Sequence, residues 1–148
     1  MKKSIVIVLT ALAVGGSAQA ASPDVGTINA IIKNLDLTSF PNSVGPRRLA
    51  GRTSFADYGF VIVEKSSNGA SIFSKDKGWV MSFRVLSTGP RSLQLCFHDR
   101  GLGRPGDATV PSYNATSALV VSKLPRGLWT AKQVRAGFAN CKNDPTAV

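Results

Sequence analysis

Side chains that perform acid–base or metal chemistry are scarce in this sequence of 148 residues. It contains one histidine, two cysteines and eight acidic residues, and Glu64 is its only glutamate. A structural zinc site needs four Cys or His ligands, and disulfide-dense miniproteins need more cysteines than this. The composition therefore excludes both classes. The length corresponds to about one domain, which excludes a multidomain enzyme.

Acidic residues are also too few to balance the basic ones. Lys and Arg number 18 against 8 Asp and Glu, so the net charge is +10. An excess of this sign steers association with an anionic partner, although it also serves solubility alone. The arginines that fall in predicted loops, and that we expect to bind such a partner, are Arg47, Arg48, Arg52, Arg100 and Arg104.

Residues 1–20 have the pattern of a secretory signal peptide. Lys2 and Lys3 precede an apolar stretch at 5–14, and Ala18-Gln19-Ala20 supplies small residues at a cleavage site. Ten residues span only about half of a bilayer core, which argues against a membrane anchor. We therefore predict a periplasmic or secreted protein whose single globular domain occupies residues 21–148.

Export determines how the two cysteines are interpreted. In an oxidising compartment an even number of cysteines favours an intramolecular bridge, here between Cys96 and Cys141. The alternative is a reactive thiol at Cys96, with His98 two residues along the same strand as its base. Two positions on a strand are about 6.8 Å apart, too far for a direct hydrogen bond without favourable rotamers. We therefore predict the disulfide.

Periodicity predicts an α+β fold. Apolar side chains recur at helical spacing near the start of the mature chain, and from residue 60 onward the period changes to two. The result is one N-terminal helix packed on an antiparallel sheet of about six strands built from hairpins. The predicted helix covers 22–37, the strands cover 60–63, 70–74, 79–86, 92–98, 118–124 and 128–134, and long loops cover 38–57 and 99–116.

The hairpin formed by 79–86 and 92–98 has the clearest alternation of apolar and polar side chains. Pairing apolar side chains across the two strands predicts a register in which Val85 lies opposite Leu93 and Phe83 opposite Leu95. A slip by one residue would set core positions against polar ones. We therefore expect this register.

The sequence contains no motif that indicates catalysis or cofactor binding. Residues 101–106 match G-x-G-x-x-G, but Pro111 and the lack of a helical stripe after the match argue against a dinucleotide site. No metal site and no cofactor are predicted. Nucleic acid is not an expected partner either, because no basic run interleaved with aromatic residues is present.

One catalytic alternative uses the single glutamate and the single histidine of the chain. A small basic exported domain with Glu64, Arg84 and His98 has the residue types of a ribonuclease, namely a carboxylate base, a cation for the phosphate and a histidine acid. In the predicted register Arg84 lies about 13 Å from His98, so convergence on one phosphate needs a different pairing.

The sequence therefore favours a non-enzymatic exported domain whose basic loops contact an acidic protein or an anionic envelope component. By architecture alone this suggests an inhibitor or immunity protein directed against a cell-wall-degrading enzyme, which is an analogy of fold and not a motif match. Because lysozymes are usually cationic, an acidic enzyme suits such a basic domain better. The alternative from another class is the small ribonuclease-like hydrolase. The sequence does not determine the oligomeric state.

Overall fold

The computed structural model describes residues 23–103 and 113–141. The predicted signal peptide at 1–20 and Arg104 lie outside these residues. One helix packs on a six-stranded antiparallel sheet, which confirms the predicted α+β class. The elements are α1 (Val25–Asn34), β1 (Phe60–Lys65), β2 (Gly69–Ser74), β3 (Trp79–Thr88), β4 (Ser92–Gly101), β5 (Asn114–Lys123) and β6 (Trp129–Gln133).

Helix α1 is shorter at both ends than the predicted span of 22–37. The Asp24 carboxylate caps its first turn by accepting a hydrogen bond from the amide of Thr27. At the other end Leu35 leaves the helix and forms a parallel bridge with Trp129 of β6. Ile28 and Ile31 are buried against the sheet. The helical stripe was therefore correctly assigned to core packing, while the pairing with β6 ends the helix early.

The strands lie in the sheet in the same order as in the sequence, and each pairs antiparallel with the next. Between β1 and β2 the predicted Asn68-Gly69 turn is confirmed, with the amide of Ser66 donating to the carbonyl of Gly69 at 3.0 Å. Pro125 and Gly127 lie in the turn between β5 and β6, where the Gly127 amide bonds the Leu124 carbonyl at 3.0 Å. Consecutive hairpins therefore build the whole sheet.

The predicted register of the β3–β4 hairpin is wrong by two residues. Val85 lies opposite Leu95, and Phe83 lies opposite Phe97. Strand β3 extends two residues further toward the turn than predicted, while β4 begins at Ser92 as predicted and extends further at its other end. The turn closes with the Gly89 amide bonded to the Ser92 carbonyl at 2.7 Å. An irregularity between Val85 and Ser87 inserts one residue into β3. A shift by two keeps every side chain on its face, so the apolar pairing survives.

The predicted loop at 38–57 contributes to the hydrophobic core. Phe40, Val44 and Phe55 of this segment are buried, and the Phe40 and Phe55 rings pack on Phe97 of β4 with centroids 5.0 and 6.5 Å away. Short 3-10 turns at Gly45–Arg47 and Ala56–Tyr58 give it local structure. This segment therefore covers the same side of the sheet as the helix.

A buried aspartate fastens that segment to the sheet. Asp99 of β4 is only 2% exposed, and its carboxylate accepts hydrogen bonds from the Ser43 amide at 2.6 Å and the Ser43 hydroxyl at 2.9 Å. The indole Nε1 of Trp79 donates to the same carboxylate. Three donors compensate the cost of burying the carboxylate.

The side of the sheet opposite the helix, here called the open face, carries a smaller apolar cluster. Cys96 and Cys141 form the predicted disulfide, with Cα atoms 5.4 Å apart, and pack with Ala118. Phe138 and Val134 border this cluster. The bridge therefore holds the chain after β6 against one part of the open face.

Candidate functional site

Three of the predicted binding arginines lie on one exposed segment. Arg47, Arg48 and Arg52 are all solvent-exposed, and Leu49 between them is 53% exposed. Residues 47–52 are here called the basic loop. The structure thus groups cations with an exposed apolar side chain, a combination that protein interfaces favour.

Hydrogen bonds from the neighbouring 3-10 turn hold the basic loop in shape. The phenolic oxygen of Tyr58 accepts from the Leu49 amide at 3.3 Å and donates to the Arg52 carbonyl at 3.2 Å. The Arg52 guanidinium donates to the backbone carbonyl of Asp57 at 3.4 Å. The loop is therefore ordered although it is exposed.

The Asp57 carboxylate holds the residues that directly follow the basic loop. It accepts hydrogen bonds from the amides of Ser54 and Thr53 at 2.9 and 3.0 Å and from the Ser54 hydroxyl at 2.8 Å. The Ser54 amide, followed by that of Thr53, lowers the pKa of Asp57 below its ordinary value, and nearby Arg52 adds to this. The carboxylate is therefore charged at neutral pH and holds the segment that precedes the turn.

A surface cavity of about 670 Å³ adjoins the basic loop. The Trp79 indole in its lining is fixed by its hydrogen bond to Asp99. Sequence reasoning did not identify this cavity, because its residues come from three separate segments. Its lining consists of Arg47, Tyr58, Gly59, Phe60, Ser74, Lys75, Asp76 and Trp79.

The other predicted binding residues do not join this surface. Arg100 lies on β4, opposite Val80 and Asn114, and does not line this cavity. Arg104 lies outside the described residues. The structure therefore brings together three of the five predicted arginines, on the segment that precedes β1.

The open face carries a continuous row of polar residues. Strand pairing sets Glu64 opposite Ser71, Ser71 opposite Ser82, Ser82 opposite His98 and His98 opposite Thr116. These five residues, here called the polar row, cross five adjacent strands in a single line. Period-two alternation marks Ser82 and His98 as residues of the polar face, whereas Glu64 and Thr116 lie outside the predicted strands, and the sequence does not reveal the alignment of the row.

The three residues of the predicted catalytic alternative line one cavity on this face. Its volume is about 420 Å³, and its lining includes Glu64, Arg84 and His98 together with Ser71 and Ser82. The corrected register places Arg84 opposite Cys96, two residues from the position of His98. The predicted separation between Arg84 and His98 was therefore too large, because it rested on the wrong pairing.

The histidine in this cavity is buried. His98 is 9% exposed, its Nδ1 lies 3.0 Å from the Thr116 hydroxyl, and its Nε2 is inaccessible to solvent. Glu64 is exposed and stands three strands away, about 14 Å between Cα atoms. An acid and a base that act on one phosphate must both reach it. In this conformation the cavity is better arranged for binding than for proton transfer.

Arg84 is held in place by the chain that the disulfide fixes. Its Nη2 donates to the backbone carbonyl of Asn140 at 2.7 Å, one residue before Cys141. The alternative of a nucleophilic Cys96 with His98 as its base is contradicted, because Cys96 is bonded to Cys141. Within residues 23–103 and 113–141 no group of three or more His, Cys, Asp or Glu side chains is placed to hold a metal ion.

Comparison with protein families, with curated proteins and with solved structures gave no match. In the part of the chain that the structure describes, no helix has the length and apolar character needed to cross a bilayer. Two surfaces are therefore candidates for the functional site. One is the basic loop with the cavity beside it, and the other is the polar row with the cavity on the open face.

Proposed function

We propose that the protein is an exported, periplasmic or secreted, recognition domain that binds an acidic partner protein through the basic loop. The observation that carries this proposal is the ordered display of Arg47, Arg48 and Arg52 around the exposed Leu49. Side chains that are positioned before binding lose less conformational entropy when the complex forms.

The composition of this surface suits an acidic protein. Arginine is enriched at the residues that dominate interface energies, and an apolar side chain among arginines provides the desolvated contact that charges alone lack. The adjoining cavity, with Tyr58 and Trp79 in its lining, offers room for a side chain of the partner. Complementary charge would accelerate association and select against basic partners.

An inhibitor or immunity protein against an acidic cell-wall-degrading enzyme fits this description. Such a protein needs a rigid surface and no reaction centre of its own, and the sequence features of export would place it beside its target. An anionic envelope surface is the other source of negative charge, and vesicles that contain phosphatidylglycerol test it directly.

The first prediction concerns the double variant Arg47→Glu/Arg48→Glu. After the stoichiometric partner is isolated by cross-linking in the secreting cells, its association with purified protein is measured by surface plasmon resonance. We expect the reversal to slow association about tenfold at low salt and less at high salt, with dissociation changed little. A wall-degrading activity of the partner should be inhibited by the native protein.

The matched control is Lys123→Glu/Arg126→Glu, which makes the same change of net charge at two exposed positions at the end of β5 and in the turn that follows it. It changes the charge but should leave the association rate close to native. Unchanged association of the Arg47→Glu/Arg48→Glu variant would contradict the proposal. Binding to phosphatidylglycerol vesicles with no protein partner would assign the loop to the envelope surface instead.

A ribonuclease-like hydrolase is the second candidate, and the shared cavity of Glu64, Arg84 and His98 favours it. In this reading Glu64 acts as base, His98 as acid and Arg84 binds the phosphate. The reaction requires His98 to become accessible. Cleavage of RNA by the native protein, abolished in His98→Ala, would establish this function and contradict the non-enzymatic proposal.

A further inference from the structure

The cavity on the open face contains groups of both charge signs on opposite sides of a neutral floor. Glu64 of β1 and Arg84 of β3 line it, and Ser71 and Ser82 lie opposite each other on the paired strands β2 and β3. Lys65 and residues 66–68 of the turn also line it. This arrangement is separate from the basic loop, so an inference drawn from it goes beyond the binding of a protein partner.

The charges in the cavity restrict the class of ligand. Glu64 brings negative charge to the lining, and Arg84 and Lys65 bring positive charge, so a ligand that carries groups of both signs compensates both. A purely apolar ligand would leave the hydroxyls of Ser71 and Ser82 without compensation for lost water. A ligand with one group of each sign and hydrogen-bonding groups between them satisfies Glu64, Arg84 and the two serine hydroxyls.

The spacing restricts the length of the ligand. Glu64 and Arg84 are two strands apart and offset by two residues, which places their Cα atoms about 12 Å apart. Side chains on a strand stand roughly perpendicular to the sheet, so the two charged groups are separated by a similar distance. Each ionic contact takes about 3 Å, which leaves about 6 Å. This is close to the length of a dipeptide, about 7 Å at about 3.5 Å per extended residue. The volume of about 420 Å³ is within the range of small-molecule sites.

We propose that this cavity binds a short peptide with free termini. Its ammonium group contacts the Glu64 carboxylate, its carboxylate contacts the Arg84 guanidinium, and its amide groups bond the hydroxyls of Ser71 and Ser82. The hydrogen bond from Arg84 to the Asn140 carbonyl positions the guanidinium before the ligand arrives. A guanidinium has five N–H donors in a planar fork, so this bond is compatible with a carboxylate partner.

The test is a titration of the whole mature protein with alanyl-alanine, followed by NMR at the amides of Ser71 and Ser82. We expect saturable shifts at these two amides. N-acetylation or C-terminal amidation of the dipeptide removes one ionic contact each and should weaken binding about tenfold. Absence of shifts at Ser71 and Ser82, or equal affinity for the blocked peptides, would overturn the proposal.

Two variants identify the contacts, and neither is expected to disrupt the fold. Glu64→Gln, at an exposed position, should weaken alanyl-alanine about tenfold and leave its N-acetylated form unaffected. Arg84→Lys should weaken alanyl-alanine more than its amide, because the lysine lacks the bidentate fork. Arg126→Gln serves as the control and should bind normally. Equal losses for free and blocked peptides in either variant would refute the assigned contacts.

The outcome is independent of the proposed partner protein. Arg47→Glu/Arg48→Glu should bind alanyl-alanine as the native protein does, so failure of one proposal leaves the other standing. Cleavage of RNA that depends on His98 would overturn the peptide assignment in favour of the hydrolase.

Discussion

Gly69 lies where the turn after β1 comes closest to the backbone of β3. A Cβ atom at this position would overlap the carbonyl oxygen of Phe83, and the carbonyl carbon of Phe83 would also be in close contact. Both obstacles are backbone atoms, which cannot move without distorting the sheet. The close approach brings the turn that lines the open-face cavity against Arg84, which is paired with Gly69.

We predict that Gly69→Ala lowers the free energy of unfolding by about 3 kcal/mol, because the clash forces strands β2 and β3 apart. Gly45→Ala is the matched control, since nothing lies within 4 Å of a Cβ atom at that position. Urea unfolding followed by far-UV circular dichroism measures both. A loss of less than about 0.5 kcal/mol for Gly69→Ala would show that the two strands have room to separate.

At the scale of elements, the β3–β4 hairpin shows what alternation determines and what it leaves open. The pattern assigned Phe83 and Val85 correctly to the core face, because side chains on a strand alternate with period two. It did not distinguish registers that differ by two residues, since these preserve the faces. The turn chemistry at Gly89 and the inserted residue after Val85 decide between them, and their effect was not evident in the sequence.

The error in register mattered for the candidate site. The predicted pairing separated Arg84 from His98 and argued against a shared site, whereas the observed pairing places both on one cavity. Glu64 and His98 were identifiable from their scarcity, since each is the only residue of its type, whereas Arg84 is one of many arginines. Their neighbours Ser71 and Ser82 were not identifiable, because serine is common and only the alignment across strands gives these two a role.

The disulfide also acts between elements, because it joins β4 to the 3-10 turn at Ala139–Cys141. We predict that Cys96→Ala/Cys141→Ala loses about 4 kcal/mol of unfolding free energy, the chain-entropy value for a loop of 45 residues. The segment that carries Asn140 should detach first. Amide hydrogen exchange should therefore increase at 138–141 while β3 and β4 remain protected. Equal loss of protection in the segment and in these strands would contradict the expectation.

At the scale of the molecule, the helix and the sheet were predictable but the contribution of the segment before β1 was not. Phe40, Val44 and Phe55 are spaced without the period of a helix or a strand, and proline and glycine between them suggested a surface loop. They are buried because the helix alone does not cover the sheet. The basic loop owes its order to this packing, so its binding surface depends on the core.

Net charge also acts on the whole molecule. With 18 basic and 8 acidic residues the folded chain repels itself, and salt screens that repulsion. We predict that the melting temperature rises by a few degrees between about 10 and 300 mM sodium chloride. A variant with Lys123→Gln and Arg126→Gln should show a smaller rise, because both exposed cations are removed. A melting temperature that falls with salt would show that attractive pairs dominate.

The arrangement of β1 to β6 in sequence order has a consequence for how the chain matures. Every strand finds its partner in the segment that follows it, so pairing requires no distant piece of chain and proceeds hairpin by hairpin. Under the export that we propose, the strands would pair in the order in which they emerge from the membrane. Cys141 comes after the last strand, so the disulfide with Cys96 would form after the six strands have paired.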